Sequence, residues 1–119
     1  MRMLILILCL VALAGCEQQT VDVSLLQERS DGLSYLPNES EPYTGNVTEY
    51  YPSGQLNTEI SYVDGKENGF ARKWYENGQV KTEINYVDGK ENGFARGWYE
   101  NGQLGGELNY ANGEIVPKP

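Results

Sequence analysis

Histidine is absent from this 119-residue chain, and the two cysteines, Cys9 and Cys16, both lie close to its start. Without histidine the usual general base, proton shuttle and commonest metal ligand are missing. With no cysteine beyond Cys16, most of the chain has no thiol to oxidise and no way to build a disulfide framework. An enzyme is not expected, nor a metal or any other cofactor. Positive charge is also scarce: 9 Lys and Arg stand against 17 Asp and Glu, a formal net charge of −8. So acidic a surface repels nucleic acid and anionic headgroups, which are bound by basic patches, and any charged partner should be basic. Long apolar runs are missing as well. The apolar stretch from Leu4 to Ala12 falls well short of the roughly 20 residues that a bilayer span requires.

That stretch reads as a leader instead, because the cationic start Met1-Arg2-Met3 precedes it and small residues close it at Leu13-Ala14-Gly15-Cys16. Those four residues resemble a lipobox, where a signal peptidase cleaves before a cysteine that then carries acyl chains. The resemblance implies a signal peptide over residues 1–15, lipidation at Cys16 and a membrane partner reached through that lipid. Two or more acyl chains on one residue give stable anchoring. The expected location is the cell envelope. In a Gram-negative cell it would be the outer membrane, facing the periplasm, since Glu17 is not the aspartate associated with inner-membrane retention. Residues 16–24 are polar after the cysteine and unpatterned, which suits a flexible tether.

The rest of the chain is organised by a period of 24. Gly45, Gly69 and Gly93 correspond, as do Gly54, Gly78 and Gly102, and Gly65, Gly89 and Gly113. Phe70-Ala71-Arg72 recurs as Phe94-Ala95-Arg96, and Trp74-Tyr75-Glu76-Asn77-Gly78-Gln79 as Trp98-Tyr99-Glu100-Asn101-Gly102-Gln103. A period of 20 to 50 residues marks one supersecondary unit that buries its face by stacking on its neighbours. Within a unit, the β-rich runs Phe70 to Tyr75 and Val80 to Val87 flank Asn77-Gly78, which predicts a two-residue type I′ hairpin turn. Asp88-Gly89 and Asn92-Gly93 bracket a longer link. The expected fold is all-β: a single-layer antiparallel meander of tandem 24-residue hairpins, with repeats at 45–68, 69–92 and 93–116. A degenerate first hairpin over 25–44 precedes them and a tail at 117–119 closes the chain, where Pro117 and Pro119 would blunt the sheet edge.

Tyr86-Val87-Asp88-Gly89-Lys90-Glu91-Asn92-Gly93 has the Tyr-x-x-Gly-Lys-x-x-Gly spacing of MORN repeats. Trp74-Tyr75-Glu76-Asn77-Gly78-Gln79-Val80 and its counterparts at Tyr50 and Trp98 are similar to the aromatic-aromatic-x-x-Gly-Gln-Leu element of the bacterial variant, and Pro42-Tyr43-Thr44-Gly45 resembles its usual entry. Such repeats are often catalogued with the YwqK-family antitoxins of toxin–antitoxin systems, which implies binding of a protein toxin. The eukaryotic MORN pattern has Gly-x-Gly where this chain has Gly69-Phe70-Ala71, so the resemblance extends to the hairpin architecture and not to lipid contacts. A lipobox on such a protein implies a toxin acting in the envelope and an immunity-like role.

A two-residue turn at Asn77-Gly78 would pair Tyr75 with Val80, Trp74 with Lys81, Lys73 with Thr82, Arg72 with Glu83 and Ala71 with Ile84. Alternation then places Ala71, Tyr75, Val80, Ile84 and Tyr86 on one face and Phe70, Arg72, Trp74, Lys81 and Glu83 on the other. The second face would carry the aromatics Tyr50, Phe70, Trp74, Phe94 and Trp98, a candidate binding surface for a protein, because such rings supply large rigid contact area. The same rings could instead stack on one another and hold neighbouring hairpins together, or bind glycan rings. Glu59, Glu83 and Glu107 recur in register, but Glu83 and Glu107 fall opposite Arg72 and Arg96. Equivalent repeat positions also share similar environments about 10 Å apart, unlike an acid–base pair. The Asp-Gly-Lys-Glu-Asn loops lack the spacing of a calcium loop. A structural or scaffolding role in the envelope is the alternative to partner capture.

Overall fold

The computed structural model describes residues 19–117; the leader and Cys16 lie outside them. Ten strands run in chain order: β1 (Thr20–Asp22), β2 (Gln27–Glu28), β3 (Ser34–Tyr35), β4 (Gly45–Tyr50), β5 (Leu56–Val63), β6 (Lys66–Trp74), β7 (Val80–Val87), β8 (Lys90–Trp98), β9 (Leu104–Ala111) and β10 (Glu114–Val116). Eight of them form one sheet in the order β1-β4-β5-β6-β7-β8-β9-β10, while β2 and β3 pair by themselves. From β4 onward every neighbour is antiparallel and consecutive, so the meander expected from the repeats is the fold.

Two kinds of turn alternate along this meander, and their places are the reverse of those expected. The tight type I′ turn, with positive φ at both central residues, lies at Asp64-Gly65, Asp88-Gly89 and Asn112-Gly113. Val87 and Lys90 close directly across the second of these. At the other end of each hairpin only the glycine has positive φ, +87° at Gly78. The Gly78 amide donates to the Tyr75 carbonyl at 3.0 Å and the Tyr75 amide to the Gln79 carbonyl at 2.8 Å. This is a type I turn over Tyr75–Gly78 followed by a bulge, the three-residue hairpin solution.

The bulge changes the register. Ala71–Ile84, Arg72–Glu83 and Lys73–Thr82 pair as expected, but Trp74 lies opposite Val80 rather than Lys81. A slip of one residue moves a side chain to the other face, so Val80 joins Trp74 and leaves the row of Ala71 and Ile84. Leu104 joins Trp98 and Leu56 joins Tyr50 in the same way. Asn92-Gly93, expected in a link, lies inside β8, where a second register shift occurs beside Asn85. The tether reading also fails at residues 20–22, because β1 pairs in parallel with β4 from Thr20–Asn46 to Asp22–Thr48.

The repeats are fastened by more than the strand ladder. The amides of Gly65, Gly89 and Gly113 donate to the carbonyls of Tyr43, Glu67 and Glu91 at 2.8 to 2.9 Å. At the opposite end, the Tyr51 hydroxyl reaches the Trp74 carbonyl at 2.7 Å and the Tyr75 hydroxyl the Trp98 carbonyl at 2.8 Å.

Burial is graded from one end of the sheet to the other. Val47, Ile60, Ala71, Ile84, Ala95 and Leu108 are successive cross-strand partners and form one row. Val47 is 1% exposed and Leu108 46%. The first end is covered by the β2–β3 hairpin, joined to the sheet by the Ser34 amide on the Gly65 carbonyl, and by the buried rings of Tyr35 and Tyr43. Tyr43 donates its hydroxyl to the carbonyls of Asn46 and Gln19. Enclosing a valine side chain fully contributes about 1.5 to 3 kcal/mol, and that contribution is concentrated here.

Candidate binding face

Of the five aromatics expected on one face, Phe70 and Phe94 come together around a shared depression. Phe70 pairs with Asn85 and Phe94 with Asn109, one repeat apart. The rings remain 45% and 43% exposed. Each is overlaid by the arginine two residues on, Arg72 at 4.5 Å from the Phe70 centroid and Arg96 at 4.7 Å from that of Phe94. Each arginine is held in place by a glutamate across the strand: Arg72 Nε donates to Glu83 Oε2 at 2.8 Å and Arg96 Nε to Glu107 Oε2 at 2.6 Å. The ion pairs foreseen from the register are present, and they serve to orient guanidinium groups over rings.

Between the two triplets lies a shallow groove of about 220 Å³ lined by Phe70, Glu83, Asn85, Gly93, Phe94 and Arg96. Asn85, part of its lining, is fixed by donating to the Asn92 carbonyl at 2.9 Å. The groove offers two apolar rings, a paired arginine and an amide. Its one carboxylate, Glu83, is engaged by Arg72.

Trp74 and Trp98 are half-buried and stand beside the bulged turns. Neither stacks on a phenylalanine; among the described residues the ring pair is Tyr43 with Tyr62, 6.4 Å apart. Their structural part is played by backbone, through the carbonyls that receive Tyr51 and Tyr75. Tyr50 is exposed at the edge of the first repeat.

A second aromatic row, of which the sequence reading named Tyr86, places its tyrosines opposite glutamates, which was not foreseen. Tyr62 lies opposite Glu67, and Tyr86 opposite Glu91, with Tyr110 next in the series. Burial, then the charge of Glu67, pushes the Tyr62 hydroxyl up to about 12. Burial followed by Glu67 and Glu91 also raises Tyr86, and burial with Glu91 raises the Glu67 carboxyl. The signal was available as tyrosines at a spacing of 24, in the Tyr-x-x-Gly element itself.

No curated protein and no solved structure matches the chain. The family model described as the MORN repeat variant matches residues 43–64, 67–88 and 92–112. Each matched segment spans one hairpin built around a bulged turn, and together they cover more than half of the sequence. By that coverage and by its tandem antiparallel hairpins, the chain belongs to the MORN repeat variant family.

Proposed function

We propose that this chain is a membrane-anchored, non-enzymatic lipoprotein whose repeat sheet captures a protein partner. The observation that carries the reading is the pair of exposed phenylalanines, Phe70 and Phe94, each held under an oriented arginine on either side of one groove. Large rings with ordered cationic neighbours are the composition of interface hot spots. The net charge of −8 favours a basic partner and speeds its encounter. Antitoxin- or immunity-type capture of a basic protein at the envelope fits these features. Anchoring rests on Leu13-Ala14-Gly15-Cys16, with lipid on Cys16.

A second reading, a spacer or scaffold of the envelope, draws support from Tyr51 and Tyr75, which spend their hydroxyls on joining hairpins. The two readings separate in one capture experiment. The full chain, purified in detergent, is used to retain proteins from the envelope and secreted fractions of its own cell, beside a Phe70→Ser, Phe94→Ser variant of unchanged circular dichroism. One basic protein retained by the parent and lost by the variant supports capture on this face. Equal recovery moves the contact elsewhere, and the absence of any specific partner favours the scaffold.

A further inference from the structure

The groove between Phe70 and Phe94 belongs to a row that crosses the sheet from strand to strand. Phe70 pairs with Asn85 on β7 and Phe94, on β8, with Asn109 on β9. Rings and amides therefore alternate along one face. The two rings stand two strands apart, a spacing of about 10 Å. Asn85 lies between them and gives one N–H to the Asn92 carbonyl. Among the described residues its second N–H and its Oδ1 have no partner, which leaves a donor and an acceptor for a ligand. Gly93 faces this amide without a side chain; a Cβ there would stand 4.0 Å from Asn85 Nδ2, so its absence keeps the space between the rings open.

A chain laid across these strands meets both rings and the amide only if it repeats at that spacing and has backbone groups to spare. The polyproline II helix does both: three residues of about 3.1 Å advance about 9.3 Å per turn, and no internal hydrogen bond occupies its carbonyls. Residues at i and i+3 then lie on Phe70 and Phe94, and a carbonyl between them accepts from Asn85. An α-helix fails the second condition, because its carbonyls are spent within it. An added β-strand needs a sheet edge rather than a face. Charge selects further. The pairs Arg72–Glu83 and Arg96–Glu107 cancel beside the groove, so an approaching segment meets the field of the whole chain, with its net charge of −8. That field favours lysine or arginine beside the prolines over aspartate or glutamate.

We propose that the groove binds a proline-rich, basic segment of the captured protein in the polyproline II conformation, with prolines at i and i+3 on Phe70 and Phe94. The proposal rests on the partner-capture reading and specifies what is captured. Each ring keeps close to half its area exposed beside its stacked arginine, which leaves room for a proline. The arginines also hold the rings in place before contact. A proline-rich segment is ordered beforehand as well, so little freedom is lost on either side when they meet.

The test is fluorescence anisotropy of labelled probes titrated with the detergent-solubilised full chain. The main probe is the peptide Pro-Pro-Ala-Pro-Pro-Ala-Pro-Pro with a lysine at each end. Three others are measured beside it: a lysine-ended peptide of alternating proline and alanine, in which no two prolines stand three apart; the main peptide with its lysines exchanged for glutamates; and chitohexaose. The expected result is saturable binding of the main probe, weakened about tenfold by Phe70→Ser or Phe94→Ser at unchanged circular dichroism. The alternating and glutamate peptides should bind more weakly than the main probe, the latter most clearly at low salt. Absence of binding by the main probe overturns the proposal, and an envelope protein still retained through Phe70 and Phe94 would then leave the capture reading standing. Binding unchanged in both serine variants overturns it too, as does an alternating or glutamate peptide that binds equally well. Chitohexaose bound as tightly as the main probe would give the rings to glycan and overturn it as well.

Discussion

The Tyr75 hydroxyl donates to the Trp98 carbonyl at 2.8 Å, one repeat further along the chain. Tyr75→Phe removes that bond while keeping the ring, and the expected cost is about 0.5 to 1.5 kcal/mol. Tyr99→Phe, at the equivalent but exposed position, is expected to cost only a few tenths. Urea unfolding of both variants checks the contrast, and equal losses would show that the hydroxyl does not fasten hairpin to hairpin.

Glu76 is the first central residue of the type I turn that replaces the expected type I′ turn. Pro52 holds the equivalent place in the first repeat. Proline is pre-set for that position and loses less freedom on folding, so Glu76→Pro should raise stability by about 0.4 to 1 kcal/mol. Gly78→Val should lower it, because a β-branched residue is strained at a φ of +87°. Thermal unfolding of Glu76→Pro distinguishes the turns: in a type I′ hairpin Glu76 would belong to the strand ladder, and the substitution would destabilise.

Pro52 also shows how much of the fold could be read beforehand. Hairpins, their order and the Arg72–Glu83 pairing follow from a period of 24 and from alternation near the strand centres. The turn type did not, because Asn-Gly satisfies both a type I′ turn and the last two residues of a type I turn with a bulge. Only Pro52 in another repeat distinguishes them, and the bulge then moves Val80 to the face of Trp74. The candidate face was legible as a set of aromatic residues and not as a groove. Its shape depends on Arg72 and Arg96 reaching back over Phe70 and Phe94, a tertiary choice with no periodic signature. β1 was illegible for a related reason: three residues pairing in parallel leave no alternation to detect.

Glu67 gives the molecule a pH dependence of known sign. Burial and the neighbouring Glu91 hold its carboxyl above the ordinary 4.5, so the folded chain favours the protonated form. Stability from this group therefore rises as pH falls through the raised folded value, and levels off below the ordinary one. Glu67→Gln should stabilise by a few tenths of a kcal/mol near neutral pH, the half-exposed setting screening the effect. Urea midpoints near neutrality and below about pH 4 should differ between parent and variant only in the first condition; a gain persisting in acid would assign it to packing.

Gly45 lies against Gln19, the residue that leads into β1. A Cβ there would stand 2.5 Å from the Gln19 carbonyl oxygen and from the Tyr43 hydroxyl, on a backbone with φ of +150°. Gly45→Ala is expected to push β1 off the sheet and cost about 1 to 3 kcal/mol. Loss of amide protection at Thr20–Asp22, read by hydrogen exchange, would locate the damage; retained protection there would show that the sheet gives way elsewhere.

The gradient from an enclosed Val47 to an exposed Leu108 sets an order of opening. Amides near Leu108 need little apolar surface to be uncovered before they exchange, whereas those around Val47 wait for most of the sheet to come apart. Successive hairpins can therefore peel from the β9 end while the β4 end stays whole, much as a zip opens from its loose end. The far repeat can then be remodelled on contact with another molecule at small cost to the rest of the chain.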